Sequence, residues 1–228
     1  DDDDLLLVAT LTDLESLSMV GVSPEEGFEP LAALTNLKHL GLSMSNVTDD
    51  DVASLSDLTE LQSLVLGWTK VTDEGLAHLA GMTELERLEL FGLSLTDEGL
   101  GHLAGLTRLK MLAADGDFTD AGLTHLEGLT QLAWLSVEGE GITDDGLVYL
   151  EALSQLQHLY LYRTAISDEG LSHLAALKML KSLGLADAPI TGSGFEYLEC
   201  LTELEQLDLS KTAVDDDGLA RLPDFPRL

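Results

Sequence analysis

The chain has 228 residues, with 42 acidic against 11 basic side chains and a formal net charge of −31. A field of this sign repels phosphate backbones and anionic headgroups, which argues against nucleic acid and against electrostatic membrane attachment. With 45% hydrophobic and only 23% charged residues, the chain reads as a folded protein and not as an acidic tail. No run approaches the roughly 18 apolar residues of a membrane-spanning helix. The single cysteine, Cys200, excludes an intramolecular disulfide framework and a cysteine-based metal cluster.

In chain order, residues 1–10 form a half-repeat that reads as helix alone. Nine repeats of 23 or 24 residues then start at Leu11, Leu34, Leu58, Met82, Leu106, Leu129, Leu153, Leu177 and Leu201. Residues 225–228 begin a tenth, so 1–228 reads as one repeat domain. In the first repeat, Ser23-Pro24-Glu25-Glu26 has the form of a capping box with proline at the first helical position, which predicts a helix there. The third repeat shows the unit most clearly. Leu61, Leu64 and Leu66 end in a two-residue alternation, which predicts a short strand with one buried face. Val71, Leu76 and Leu79 follow at turn and helical spacing, with Thr72 as N-cap, Asp73 and Glu74 in the first turn, and Gly81 at the stop. In the fifth repeat Ala114 stands where others carry a strand leucine and Phe118 where others carry the Val71-type residue, an exchange that refills the same layer. Cys200, at a helix stop, reads as a small buried residue.

The segments TDEGL at 72–76 and 96–100, TDAGL at 119–123, TDDGL at 143–147 and SDEGL at 167–171 resemble the leucine-rich-repeat superfamily. The likeness is to the TDxGLxxL type of bacterial repeat proteins, akin to the cysteine-containing and ribonuclease-inhibitor-like repeats. The consensus cysteine of the eukaryotic repeats is missing, so a ubiquitin-ligase role does not carry over. The resemblance implies an α/β fold: a right-handed solenoid with a parallel sheet on the concave side and short helices on the convex side. The stacking requirement supports this independently, because a unit of this size with one leucine-lined face buries that face only against its neighbours.

Binding surfaces of such solenoids are expected on the concave sheet, between the strand leucines. Aromatic residues make up only 5% of the chain, yet Phe91, Trp134, Tyr160 and Tyr162 all fall there in repeats four to seven. Arg87 and His158 share those strands, and Trp68 and Arg163 occupy the next column outward. Exposed Trp, Tyr and Arg dominate interface energetics, so these eight residues form the predicted partner-binding patch. A second column, Asp49, Asp73, Asp97, Asp120, Asp144, Asp168 and Asp216, reads either as helix capping with dipole complementarity or as a cation ladder, with Ca²⁺ the natural ion for carboxylate oxygens. The third column is His78, His102, His125 and His173, read as half-buried side chains bonding to a neighbouring helix, because tyrosine replaces them at Tyr149 and Tyr197.

No phosphate loop, nucleophile elbow or zinc-protease motif is present. The reading is therefore a non-enzymatic scaffold, without cofactor, that recognises a protein, peptide or glycan on its concave face, with a basic partner favoured by the overall field. A secreted or cell-surface placement is favoured. Neither end carries a polar cap, which leaves two expectations: an excerpt of a longer array, or head-to-tail self-association into a filament or surface layer. The acidic excess also fits a protein kept soluble in high salt.

Overall fold

The computed structural model describes residues 2–228. Among them, nine strands form one open sheet, all parallel and in sequential order. They are β1 Ser16–Ser18, β2 His39–Gly41, β3 Ser63–Val65, β4 Arg87–Thr96, β5 Met111–Asp117, β6 Trp134–Glu138, β7 His158–Tyr162, β8 Ser182–Gly184 and β9 Gln206–Asp208. Partners lie one repeat apart, as in His39↔Ser63 and Trp134↔His158, so equivalent residues form straight rows across the sheet. The return segments are short. Asp49–Ser54, Asp73–Ala77 and Asp97–Leu103 are α-helical, whereas Asp144–Leu150, Gly170–Ala176 and Phe195–Leu198 are 3-10 helices. One or two turns of either type are not stable alone, so they hold their form by packing on the repeat layer.

The leucines predicted to point inward do so: Leu61, Leu64, Leu66, Val71, Leu76 and Leu79 are all buried, as are Ala114 and Phe118 of the exchanged layer. Burial of each such leucine contributes about 1.5–3 kcal/mol. Two expectations fail. No helix begins at Ser23-Pro24; after the N-terminal helix Asp2–Ala9, the helical turn of the first repeat is Glu29–Ala33, with Pro30 in it. The polar groups a helix would use at 24–26 are taken elsewhere, since the Pro24 carbonyl accepts from Asn46 Nδ2 at 3.0 Å and the Glu26 N–H donates to Asp2 at 3.1 Å. Cys200 is exposed rather than buried, because it sits between two inward anchors, Leu198 and Leu201, that fix the opposite direction.

Adjacent repeats are joined by the residues of the T-D-x-G motif. The Asp49 carboxylate accepts the Thr72 N–H at 2.8 Å and the Thr72 hydroxyl at 2.7 Å. The same pair of bonds runs from Asp73 to Thr96, Asp97 to Thr119, Asp120 to Thr143 and Asp144 to Ser167. Thr96, Thr119 and Thr143 also accept an N–H of their own first turn. Thr72 does not form the predicted side-chain cap, although its hydroxyl donates to Asp49 as its counterparts do to their aspartates. The motif glycine follows from the same contact. A Cβ on Gly122 would stand 2.3 Å from Asp97 Oδ1, and Gly75, Gly99, Gly146 and Gly170 face the preceding aspartate in the same way. Where Gly192 interrupts the aspartate column, Asp215 occupies the next threonine position and caps its own helix through the Gly218 N–H at 2.9 Å.

This geometry predicts that Asp97→Ala and Gly122→Ala each lower stability by about 1–3 kcal/mol, the first by orphaning two donors and the second by overpacking. The double variant is less destabilised than the sum, since truncating Asp97 empties the space the new methyl needs; strict additivity in urea unfolding would refute the contact. At Asp168, burial pushes the carboxyl up but is outweighed by hydrogen bonds from the Thr191 hydroxyl and the N–H groups of Gly194, Thr191 and Gly192, so its pKa lies below the usual carboxylate value. Its stabilisation is therefore present at neutral pH and lost as pH falls through that lowered pKa. The stability gap between the native chain and Asp168→Ala narrows correspondingly in acid, which thermal melts at stepped pH will show.

Candidate functional site

Strand alternation sends the residues flanking each strand leucine to the sheet face, and the register aligns them into rows. One row contains Arg87, Met111, Trp134, His158 and Ser182. The next contains Ala113, Ser136, Tyr160 and Gly184, and a third contains Asp115, Glu138 and Tyr162. Trp134 packs on Tyr160 with ring centroids 5.4 Å apart, and Tyr160 on Tyr162 at 5.6 Å, both tilted as aromatic quadrupoles prefer. The two tyrosine rings lie over Gly184, where a Cβ would stand 2.6 Å from each. Gly184 thus holds the aromatic chain in place, a role that a lone glycine in a strand does not announce. Small residues under the rings, Ala113, Ser136 and Gly184, face the sheet surface yet are buried.

The eight predicted patch residues separate into two groups. Trp134, His158, Tyr160, Tyr162 and Arg163 are neighbours on β6 and β7 and the turn after β7. Trp68 and Phe91 form a second aromatic pair with centroids 6.5 Å apart, and Arg87, on the same strand as Phe91, is ion-paired with Glu89. Met111 and Ala113 of β5 lie between the groups. Trp68 and Arg163 owe their outward position to a left-handed turn, with φ of 55° and 51°. Met44, Asp187 and Lys211 adopt it at the same repeat position, as do Gly21 and Gly92. Glycine recurs in this column but marks the turn only at Gly21 and Gly92. The Trp68 indole lies over Gly92, where a Cβ would be 2.3 Å away.

Repeats five and six depart from this turn, because Gly116 and Gly139 hold the equivalent positions without positive φ and β5 continues to Asp117. A groove of about 450 Å³ opens there, lined by Asp115, Asp117, Glu138, Glu140 and Arg163 over a glycine backbone. Arg163 lies 3.5 Å from Glu140 and 4.0 Å from Glu138. Burial, then Asp115, pushes the Glu138 carboxyl above its ordinary value against the opposing pull of Arg163. Burial, followed by Asp208, Tyr160 and Glu138, raises the Tyr162 phenol and keeps it a hydrogen-bond donor. His158 Nδ1 is 3.0 Å from Ser182 Oγ, whose hydroxyl donates to Gln206 at 3.3 Å. Burial and then Lys181 lower the His158 pKa, with Glu205 opposing. Ser182 is itself buried, so this pair braces the sheet face and does not present a nucleophile.

Among the described residues, six of the seven ladder aspartates spend their carboxylates on the next repeat, and Asp216 lies in the first turn of the last helix. No three His, Cys, Asp or Glu side chains among the described residues converge as a metal site. In the histidine column, His173 pairs with Glu151 of the preceding repeat at 2.6 Å. No helix of the described residues is long and apolar enough to cross a membrane.

The groove electrostatics predict that Glu138 titrates above the usual glutamate range in a carboxyl-detected NMR titration. Asp115→Asn brings it down, and Arg163→Ala takes it further up; an unshifted Glu138 contradicts the described burial.

A leucine-rich-repeat family model matches residues 58–80, and no curated protein matches the chain significantly. Among solved structures, the chain is similar to an internalin (inlF) of Listeria monocytogenes, with 31% identity and a TM-score of 0.78 over 95% of this chain and 61% of that one. The chain thus spans about three-fifths of that internalin. A second Listeria monocytogenes internalin, inlC2, aligns at 24% identity and a TM-score of 0.61, covering 94% of this chain and 80% of its own. A plant peptide hormone receptor, RGFR1 in complex with RGF2, aligns at 18% identity and a TM-score of 0.62 over 94% of this chain and 35% of that one. These last two share the fold. The repeated T-D-x-G contact, the sequential parallel sheet and the internalin likeness agree: the chain is a member of the leucine-rich-repeat superfamily.

Proposed function

We propose that the chain is a non-enzymatic recognition scaffold that binds a protein or peptide on its concave sheet face, with Trp134, Tyr160 and Tyr162 as anchors. The observation that carries this reading is the contiguous aromatic chain on β6 and β7, set on strands whose register leaves the rings little freedom. Rigid aromatic side chains lose little entropy on binding and combine apolar area with a polar edge, which suits them to interface anchoring. The internalin likeness supports a scaffold role for the fold. The strong negative charge favours a basic partner through steering and complementarity.

The test is selection from a displayed random-peptide library on the intact chain, followed by titration with tryptophan fluorescence. Truncating Trp134 and Tyr160 to alanine weakens the selected binders by about 2 kcal/mol for each anchor. Glu127→Ala, on the helical side, leaves binding unchanged. Binders indifferent to the double truncation would place recognition elsewhere and overturn the reading.

A further inference from the structure

The aromatic chain and the acidic groove share strand β6. Asp115, Glu138 and Tyr162 form one row across β5, β6 and β7, and Trp134 lies four residues before Glu138 on the same strand. Four residues of extended chain span about 13 Å, so a peptide lying along this face meets both features within a short stretch. The groove is built to admit a side chain from outside. Gly116, Gly139 and Gly141 line it, and they are glycines because each packs against the preceding repeat: a Cβ on Gly116 would stand 2.4 Å from the Leu95 carbonyl, on Gly139 2.6 Å from the Phe118 carbonyl, and on Gly141 2.8 Å from the Thr119 side chain.

Its charge is also incomplete. Four carboxylates, those of Asp115, Asp117, Glu138 and Glu140, face a single guanidinium, that of Arg163. Arg163 leans toward Glu140 and is 62% exposed at its side chain, which leaves the Asp115 side of the groove without a cation. Asp115 is fixed in position by the Gly92 N–H at 2.5 Å. The chain's own Arg163 guanidinium lies within ion-pair distance of both Glu138 and Glu140, and the groove of about 450 Å³ leaves room for a second. Arginine suits such paired carboxylates better than lysine, because its donors are held in one plane.

From this juxtaposition we propose that the partner is an extended peptide carrying an arginine, whose guanidinium enters the groove between Asp115, Asp117 and Glu138 while an apolar side chain within about four residues rests on Trp134 and Tyr160. The proposal rests on the concave-face reading above. Burial, then the neighbouring Asp115, raises the Glu138 pKa, so this carboxylate gains from a further cation.

The experiment is a random 12-residue display library selected on four proteins: the native chain, Asp115→Asn/Glu138→Gln, Trp134→Ala/Tyr160→Ala, and Glu74→Gln/Glu98→Gln. The last removes the same charge from the helix starts. Arginine enrichment on the native chain and on the helix-start variant, lost on the groove variant, supports the proposal. Replacing that arginine with citrulline, a neutral isostere, then weakens binding to the native chain at least about tenfold, a readout that needs no folded variant. Binders that depend on Trp134 and Tyr160 but carry no arginine overturn the proposal and leave the concave-face reading standing. Arginine enrichment that survives on the groove variant overturns it in favour of the diffuse field. Binders insensitive to the aromatic truncation overturn both.

Discussion

Repeats two to seven each lend a carboxylate to the next, and the rest of the architecture depends on that loan. Leucine burial stacks the layers but is non-directional, so by itself it leaves the layers free to slide or rotate. The aspartate that accepts both the N–H and the hydroxyl of the following threonine sets the spacing, and the glycine beside it permits the approach. A column of like charges is tolerated because each carboxylate faces hydrogen-bond donors at a helix start, where charge-assisted bonds are strong. The acidic helix starts are therefore joints between repeats as well as caps within them.

The scarce basic residues occupy complementary places. Lys38 pairs with Glu15, Arg108 with Glu84, Lys110 with Glu86 and Arg227 with Glu203, each one repeat back. The Glu86 carboxyl is held below its ordinary value chiefly by the hydrogen bond from Lys110. These pairs are exposed and contribute little each, but they align the strand entrances, while the aspartate joints align the helix starts on the other side of the layer. Between these two sets of rungs the sheet is held in register, and rows of side chains inherit that register. The aromatic chain of Trp134, Tyr160 and Tyr162 is one such row structure. The acidic groove exists because repeats five and six drop the left-handed turn that their neighbours use.

Much of this was legible in the residues. The recurrence of TDxGL marked the repeat, the leucine spacing separated strand from return segment, and the Ala114 and Phe118 exchange was readable as a conserved volume in one layer. The sheet-facing residues fall in the rows that the alternation predicted. Other features were not. The capping box at Ser23 has the right residue types but loses to inter-repeat bonds that occupy its backbone groups. Cys200 sits at a position whose direction is set by Leu198 and Leu201 rather than by its own polarity. The eight-residue patch is two groups, because β5 contributes Met111 and Ala113 where an unbroken patch needs larger rings.

By itself the sequence determined the fold class, the repeat spacing, the buried leucines and the column in which the ladder aspartates fall, because these depend on periodicity, and periodicity is a one-dimensional property. Only the tertiary structure decided what the aspartates bind, why the motif glycine is a glycine, which aromatics touch and where the groove lies. Those depend on contacts between residues one repeat apart, whose distances are set by the stacking of whole layers and are not encoded within any single repeat.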